Sequence, residues 1–121
     1  MSGAPPSGRQ TIRLTTIGAK SGKPRMATLY ATPDGDGLVI VGSGGGSARN
    51  PAWVHNLRAH PVASVKVGGA VREMRAREAT GRERERLWEL VTTAFSLYAT
   101  YQRRTPRLLP IFVLEPAAEP S

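Results

Sequence analysis

Two short polar stretches hold most of the residues able to do chemistry in this 121-residue chain. Lys20-Ser21-Gly22-Lys23-Pro24-Arg25 offers a point charge at Lys20, a bidentate fork at Arg25 and local donors at Ser21 and Gly22. Ser43-Gly44-Gly45-Gly46-Ser47 can turn several backbone amides toward one anion. Arg49 follows with a further charge, then Asn50 reads as a helix N-cap and Pro51 as the first helical residue. Unpaired N–H groups and the helix dipole favour an anion at such a start. Together these residue types fit a phosphorylated, flat-ringed ligand. Each stretch also has a plainer reading, as a solvated hairpin loop and a flexible linker. Neither is a phosphate-binding P-loop, which needs spaced glycines followed at once by Lys and Ser or Thr. The glycine run also lacks the GxGxxG spacing of a dinucleotide-binding turn.

Other chemistries are excluded by what is missing. Without cysteine there are no disulfides, no cysteine-held clusters and no thiolate zinc. His55 and His60 lie five apart, off the spacing that sets two ligands on one helical face, so no metal is expected. No Ser/His/Asp set, carboxylate pair or activated thiol emerges, and an enzyme built this way borrows its reactive centre from a cofactor. The net charge of +8 falls entirely on residues 1–77, while residues 78–121 balance to zero. Such a face attracts nucleic acid, anionic lipid or a multiply charged coenzyme. Thin aromatic interleaving and the lack of a helix-turn-helix or RNP-like motif argue against nucleic acid. No apolar run reaches the ~18 residues of a membrane span, and the start lacks the pattern of a secretory signal. A cytoplasmic location is expected, with peripheral contact at the inner face of the membrane left open.

These stretches need elements to position them. Thr11–Ile17 reads as a strand entering a turn at Gly18, with Arg25–Thr32 as its hairpin partner. Pro33–Gly37 is a turn by composition, and Leu38–Val41 a short, fully buried strand. A helix is expected from Asn50 to about His60, where Pro61 stops it. Ala63–Val67 and Val71–Ala79 flank a Gly68-Gly69 turn. Thr80 and Glu83 fit a capping box. It opens a helix with Leu87, Val91, Ala94, Tyr98 and Tyr101 on one face. Leu108–Leu114 closes the set, interrupted by Pro110. About six antiparallel strands with two or three helices predict a small, mainly β barrel. The expected boundaries are a flexible tail over 1–10, a barrel domain over 11–116 and a tail over 117–121.

The order Leu14-Thr15-Thr16-Ile17-Gly18, Lys20-Ser21-Gly22, Pro24-Arg25, Leu29-Tyr30, Ser43, Asn50-Pro51-Ala52-Trp53, Asn56-Leu57 and Pro110-Ile111 to Glu115-Pro116 resembles the deazaflavin-dependent nitroreductase family. The resemblance covers roughly residues 11–116. It implies a split β-barrel, akin to FMN-binding barrels, that binds coenzyme F420, a deazaflavin with a phosphate and an oligoglutamate tail. On this resemblance Lys20, Ser21, Gly22 and Arg25 hold the phosphate and tail. Met26, Ala27, Thr28, Leu29, Trp53 and Asn56 line the deazaflavin and its ribityl chain. Ser43, Gly44, Arg49, Asn50 and Pro51 complete the coenzyme site.

Tyr30, Phe95, Tyr98 and Tyr101 then face the substrate. Tyr98, Tyr101 or Ser43 orients it and stabilises a developing oxyanion. The implied reaction is hydride transfer to a small conjugated acceptor: a quinone, an activated enone or a nitro compound. Ala19 and Gly44 stand where relatives carry cations, which should weaken phosphate binding by about 1 kcal/mol each where exposed. Phe95 replaces a tyrosine of some relatives and removes a hydroxyl from the substrate wall. The alternatives are an FMN-dependent reductase or a non-catalytic carrier of coenzyme or fatty acyl chains, as monomer or homodimer.

Overall fold

Alternation of apolar and polar residues curls this chain into a barrel, and a computed structural model describes residues 10–117 of it. Six strands form: β1 (Gln10–Ile17), β2 (Pro24–Asp34), β3 (Gly37–Val41), β4 (Val62–Val67), β5 (Ala70–Glu78) and β6 (Ile111–Pro116). They close in the order β1-β2-β3-β6-β5-β4, antiparallel throughout. Helix α1 (Ala52–Ala59) joins β3 to β4, while α2 (Gly81–Ala94) and α3 (Leu97–Arg103) lie between β5 and β6. The expected barrel is what the chain forms.

Two apolar clusters hold it together. Inward residues such as Ile12, Leu14, Ile40, Val65, Met74 and Leu114 fill the barrel with Trp53, Val54 and Leu57 of α1. The Trp53 ring meets Phe112 edge-on at 5.9 Å, so α1 anchors in the barrel core. The second cluster lies outside, where Val39, Val41, Ile111 and Val113 pack against Leu87, Val91 and Tyr98. Strands β3 and β6 are thus covered on both faces, which explains the unbroken apolar run of Leu38–Val41.

Strand β2 is the one that divides its pairing. Residues 24–31 pair with β1, and residues 32–34 pair with β3. The edge of residues 24–31 facing away from β1 therefore carries no ladder, and the barrel is split there. Among the described residues no helix is long and apolar enough to cross a membrane.

Three local expectations need correction. The helical stripe from Leu87 to Tyr101 is not one helix: Phe95 adopts an extended backbone (φ −149°, ψ 94°) that ends α2 and starts the turn into α3. The break swings Phe95 against Tyr30 and Tyr98 instead of continuing the stripe. Thr80 makes no side-chain cap bond, and Glu83, its expected reciprocal partner, pairs with Arg77 instead. The closing strand begins at Ile111, just past Pro110, and not at Leu108. The tails expected over 1–10 and 117–121 lie outside the described residues, apart from Gln10 and Ala117.

Candidate active site

Two chambers lie along β2 beside its unpaired edge, lined by chain neighbours: Met26 and Ala52 face the first, Ala27 and Trp53 the second. The first, about 630 Å³, is walled by Gly18, Ala19, Lys20, Ser21 and Arg25 of the β1–β2 hairpin, and by Met26, Ala52, His55 and Asn56. The turn is tight: Gly18 donates to Lys23 O at 2.8 Å and Gly22 to Gly18 O at 2.9 Å. The Ser21 hydroxyl oxygen accepts from Lys23 N at 3.1 Å, which fixes the loop that carries Lys20. Buried Asn56 staples this hairpin to α1. Its Oδ1 accepts from Ala19 N at 2.9 Å and its Nδ2 donates to Thr16 Oγ1 at 3.0 Å. Both ends of its amide are engaged in positioning, a role the expectation of a ribityl contact did not include.

The second chamber, about 610 Å³, is apolar and aromatic. Ala27, Thr28, Leu29 and Tyr30 of β2 form one wall, and Val41, Ser43, Gly44, Gly45, Pro51 and Trp53 form another. Phe95, Tyr98 and Tyr101 close it, with Thr11 at the rim. Phe95 is the hub: its ring lies edge-on to Tyr30 at 5.5 Å, Tyr98 at 4.9 Å and Tyr101 at 6.3 Å. Arg25 and Tyr30 lie five residues apart on β2, roughly 17 Å along a strand. The cleft can therefore take an elongated ligand, charged at the hairpin and flat at the aromatic end.

Its electrostatics have one sign. Neither chamber is lined by an acidic residue. Lys20, Lys23, Arg25 and Arg49 form no ion pair among the described residues, whereas Arg58, Arg77 and Arg86 are paired with carboxylates. The cations on the hairpin thus have no internal counter-charge.

The glycine loop is built differently from the amide nest that was expected. Gly44, Gly45 and Gly46 all have positive φ (52°, 67° and 85°), a conformation L side chains rarely adopt. A Cβ on Gly46 would also meet Tyr101 O at 2.8 Å. Two of the loop's amides bond within it, Gly46 N to Ser43 O and Ser47 N to Gly44 O. The carbonyls are gathered by Arg107, which sequence reasoning missed. Its guanidinium donates to Ser43 O (2.8 Å), Gly42 O (3.0 Å), Ser47 O (2.9 Å) and Asn50 Oδ1 (2.5 Å). Partial burial pulls the Arg107 pKa down from its ordinary value, yet an arginine stays protonated and keeps all its donors.

Asn50 is thereby occupied by Arg107 and does not cap α1. Pro51 holds the cap position (ψ 153°) and the helix starts at Ala52. Gly22, Arg49 and Asn50 are the expected site residues that line neither chamber. Conversely, the walls include Thr11, Val41 and His55, whose types carried no such signal.

The sequence model of the F420H2-dependent quinone reductase family matches residues 2–116. An F420H2-dependent quinone reductase of Mycobacterium tuberculosis strain H37Rv is 39% identical over 115 residues, covering 93% of this chain and 74% of that protein. A solved F420-H2 dependent reductase superposes with a TM-score of 0.79 at 40% identity, covering 87% of this chain and 93% of the other. Another solved structure, described as a domain-swapped dimer, has a TM-score of 0.80 at 40% identity, over 87% of this chain and 79% of the other.

Proposed function

The chain belongs to the F420H2-dependent quinone reductase family, and on that premise we propose that it reduces a quinone with reduced coenzyme F420 in the cleft along β2. The observation that carries this reading is the acid-free cleft with unpaired cations at one end and an aromatic chamber at the other. The residues fit the coenzyme. Lys20 and Arg25 suit its phosphate and oligoglutamate tail. The wall of Ala27, Leu29 and Trp53 suits a flat ring, with the N-terminus of α1 nearby. When bound, the reduced coenzyme supplies the hydride.

The protein's own part is positioning and electrostatics. Tyr30, Phe95 and Tyr98 form an apolar wall that excludes water and holds the acceptor ring over the surface of Ala27, Leu29 and Trp53 that suits the coenzyme. Tyr101 Oη, Tyr98 Oη or Ser43 Oγ donates a hydrogen bond to the acceptor's carbonyl oxygen, where negative charge develops as the hydride arrives. Arg104 packs its guanidinium 5.6 Å from the Tyr101 ring, which restrains that side chain. The domain-swapped relative supports a homodimer as the assembly. Turnover of reduced F420 with a naphthoquinone tests the reading. Tyr101→Phe and Tyr98→Phe together should lower kcat by about tenfold to a hundredfold, with little change in coenzyme affinity. Unchanged kcat would remove both hydroxyls from the reaction.

A further inference from the structure

On the outer face of the barrel, Arg13 of β1 stands directly opposite Lys66 of β4 on one side and Thr28 of β2 on the other. Both cations are exposed. Like charges directly opposite one another in a ladder repel, and neither has an acidic partner among the described residues. The acid on the same face of β5, Glu73, lies opposite Ser64 and accepts its hydroxyl hydrogen bond at 2.6 Å. A shallow depression of about 300 Å³ forms over this pair, lined also by Thr11, Thr28 and Gly68. Thr11 and Thr28 line the aromatic chamber as well, so the two spaces share a wall.

We propose that Arg13 and Lys66 form an anion subsite for the acceptor, favouring quinones that carry a carboxylate or sulfonate over neutral ones. The inference rests on the quinone-reductase reading of the adjoining chamber. Thr28 lies three residues beyond Arg25 on β2, roughly 10 Å farther from the hairpin. The coenzyme's phosphate and tail belong to the hairpin cations, which leaves this end to the acceptor. Arg13 is one strand away from Thr28 and Lys66 two, about 5 and 10 Å between backbones, within reach of long side chains turned toward a substituent at the rim.

The test compares ortho-naphthoquinone with its sulfonate, using wild type and the Arg13→Gln/Lys66→Gln double variant. Binding of each quinone without coenzyme is read by quenching of tryptophan fluorescence, and KM with reduced F420. The sulfonate's Kd and KM should rise roughly fivefold in the variant relative to the neutral quinone, and the difference should shrink in high salt. Equal shifts for both quinones, or none, would overturn the subsite. A third arm compares F420 bearing long and short oligoglutamate tails. If the variant weakens only the long-tailed form, the subsite serves the coenzyme and the acceptor assignment falls. Melting temperature controls for folding and should hold or rise as the repulsion is removed. Wild type that binds both quinones but turns over neither would overturn the proposed reaction, while the binding comparison still decides the subsite.

Discussion

Arg107 is the residue on which the site's architecture depends most. It gathers three carbonyls and the Asn50 side chain from residues 42–50, while Arg104 adds one longer bond to Gly45 O at 3.4 Å. Arg107→Gln should destabilise the protein by about 2 kcal/mol, the range for hydrogen bonds to a charged group. It should weaken coenzyme affinity as well, read by melting temperature and by titration. Arg107→Lys should recover little, since a point donor cannot reach four acceptors in a planar fork. Full stability in either variant would show that the loop holds itself. Nothing local marked this residue: it follows Arg103 and Arg104, and the partners of its guanidinium lie 57 or more positions away. By contrast Lys20, Arg25, Tyr30, Phe95, Tyr98 and Tyr101 were singled out by their types and order, and they line the two chambers. Asn56 was legible as important, but its task of pinning Ala19 and Thr16 appears only once α1 and the hairpin meet.

At the scale of elements, the strands were readable because alternation and turn residues coincide. The helical connection was readable only in part. Periodicity through Tyr101 predicted a single stripe, but it carries no record of where the backbone breaks. That break at Phe95 is what brings Tyr98 and Tyr101 together with Tyr30 of β2. The expected capping box is absent as well, with Glu83 turned to Arg77. Arg77 of β5 binds Glu83 of α2 and Glu115 of β6, fastening three elements.

This clamp has a pH signature. The Arg77 guanidinium holds the Glu83 carboxyl below its ordinary value, and Arg86 does the same for Asp34. For groups whose folded pKa is depressed, the stabilisation is present above the unfolded value, near pH 4, and is lost as pH falls through the folded one. Melting temperature should therefore fall below about pH 4. In Arg77→Gln it should be lower at neutral pH and flatter across the acid range. These pairs are exposed, so the effect is modest. Parallel profiles for variant and wild type would show that the clamp contributes nothing.

At the scale of the molecule, charge and topology act together. The split in β2 opens a cleft, the hairpin puts unpaired cations at its mouth, and four acids, Asp34, Glu78, Glu83 and Glu115, are held in ion pairs away from it. The uneven placement of the +8 charge was visible in the sequence. That it meets an aromatic chamber along one strand edge required the fold. The most direct measurement is a fluorescence titration of the protein with oxidised coenzyme F420 and, separately, with FMN. The account predicts saturable binding of F420, weak or no binding of FMN, and an affinity that falls with salt and by roughly tenfold in Lys20→Ala/Arg25→Ala. FMN binding as tight as F420, or F420 binding that ignores both salt and the double substitution, would contradict it.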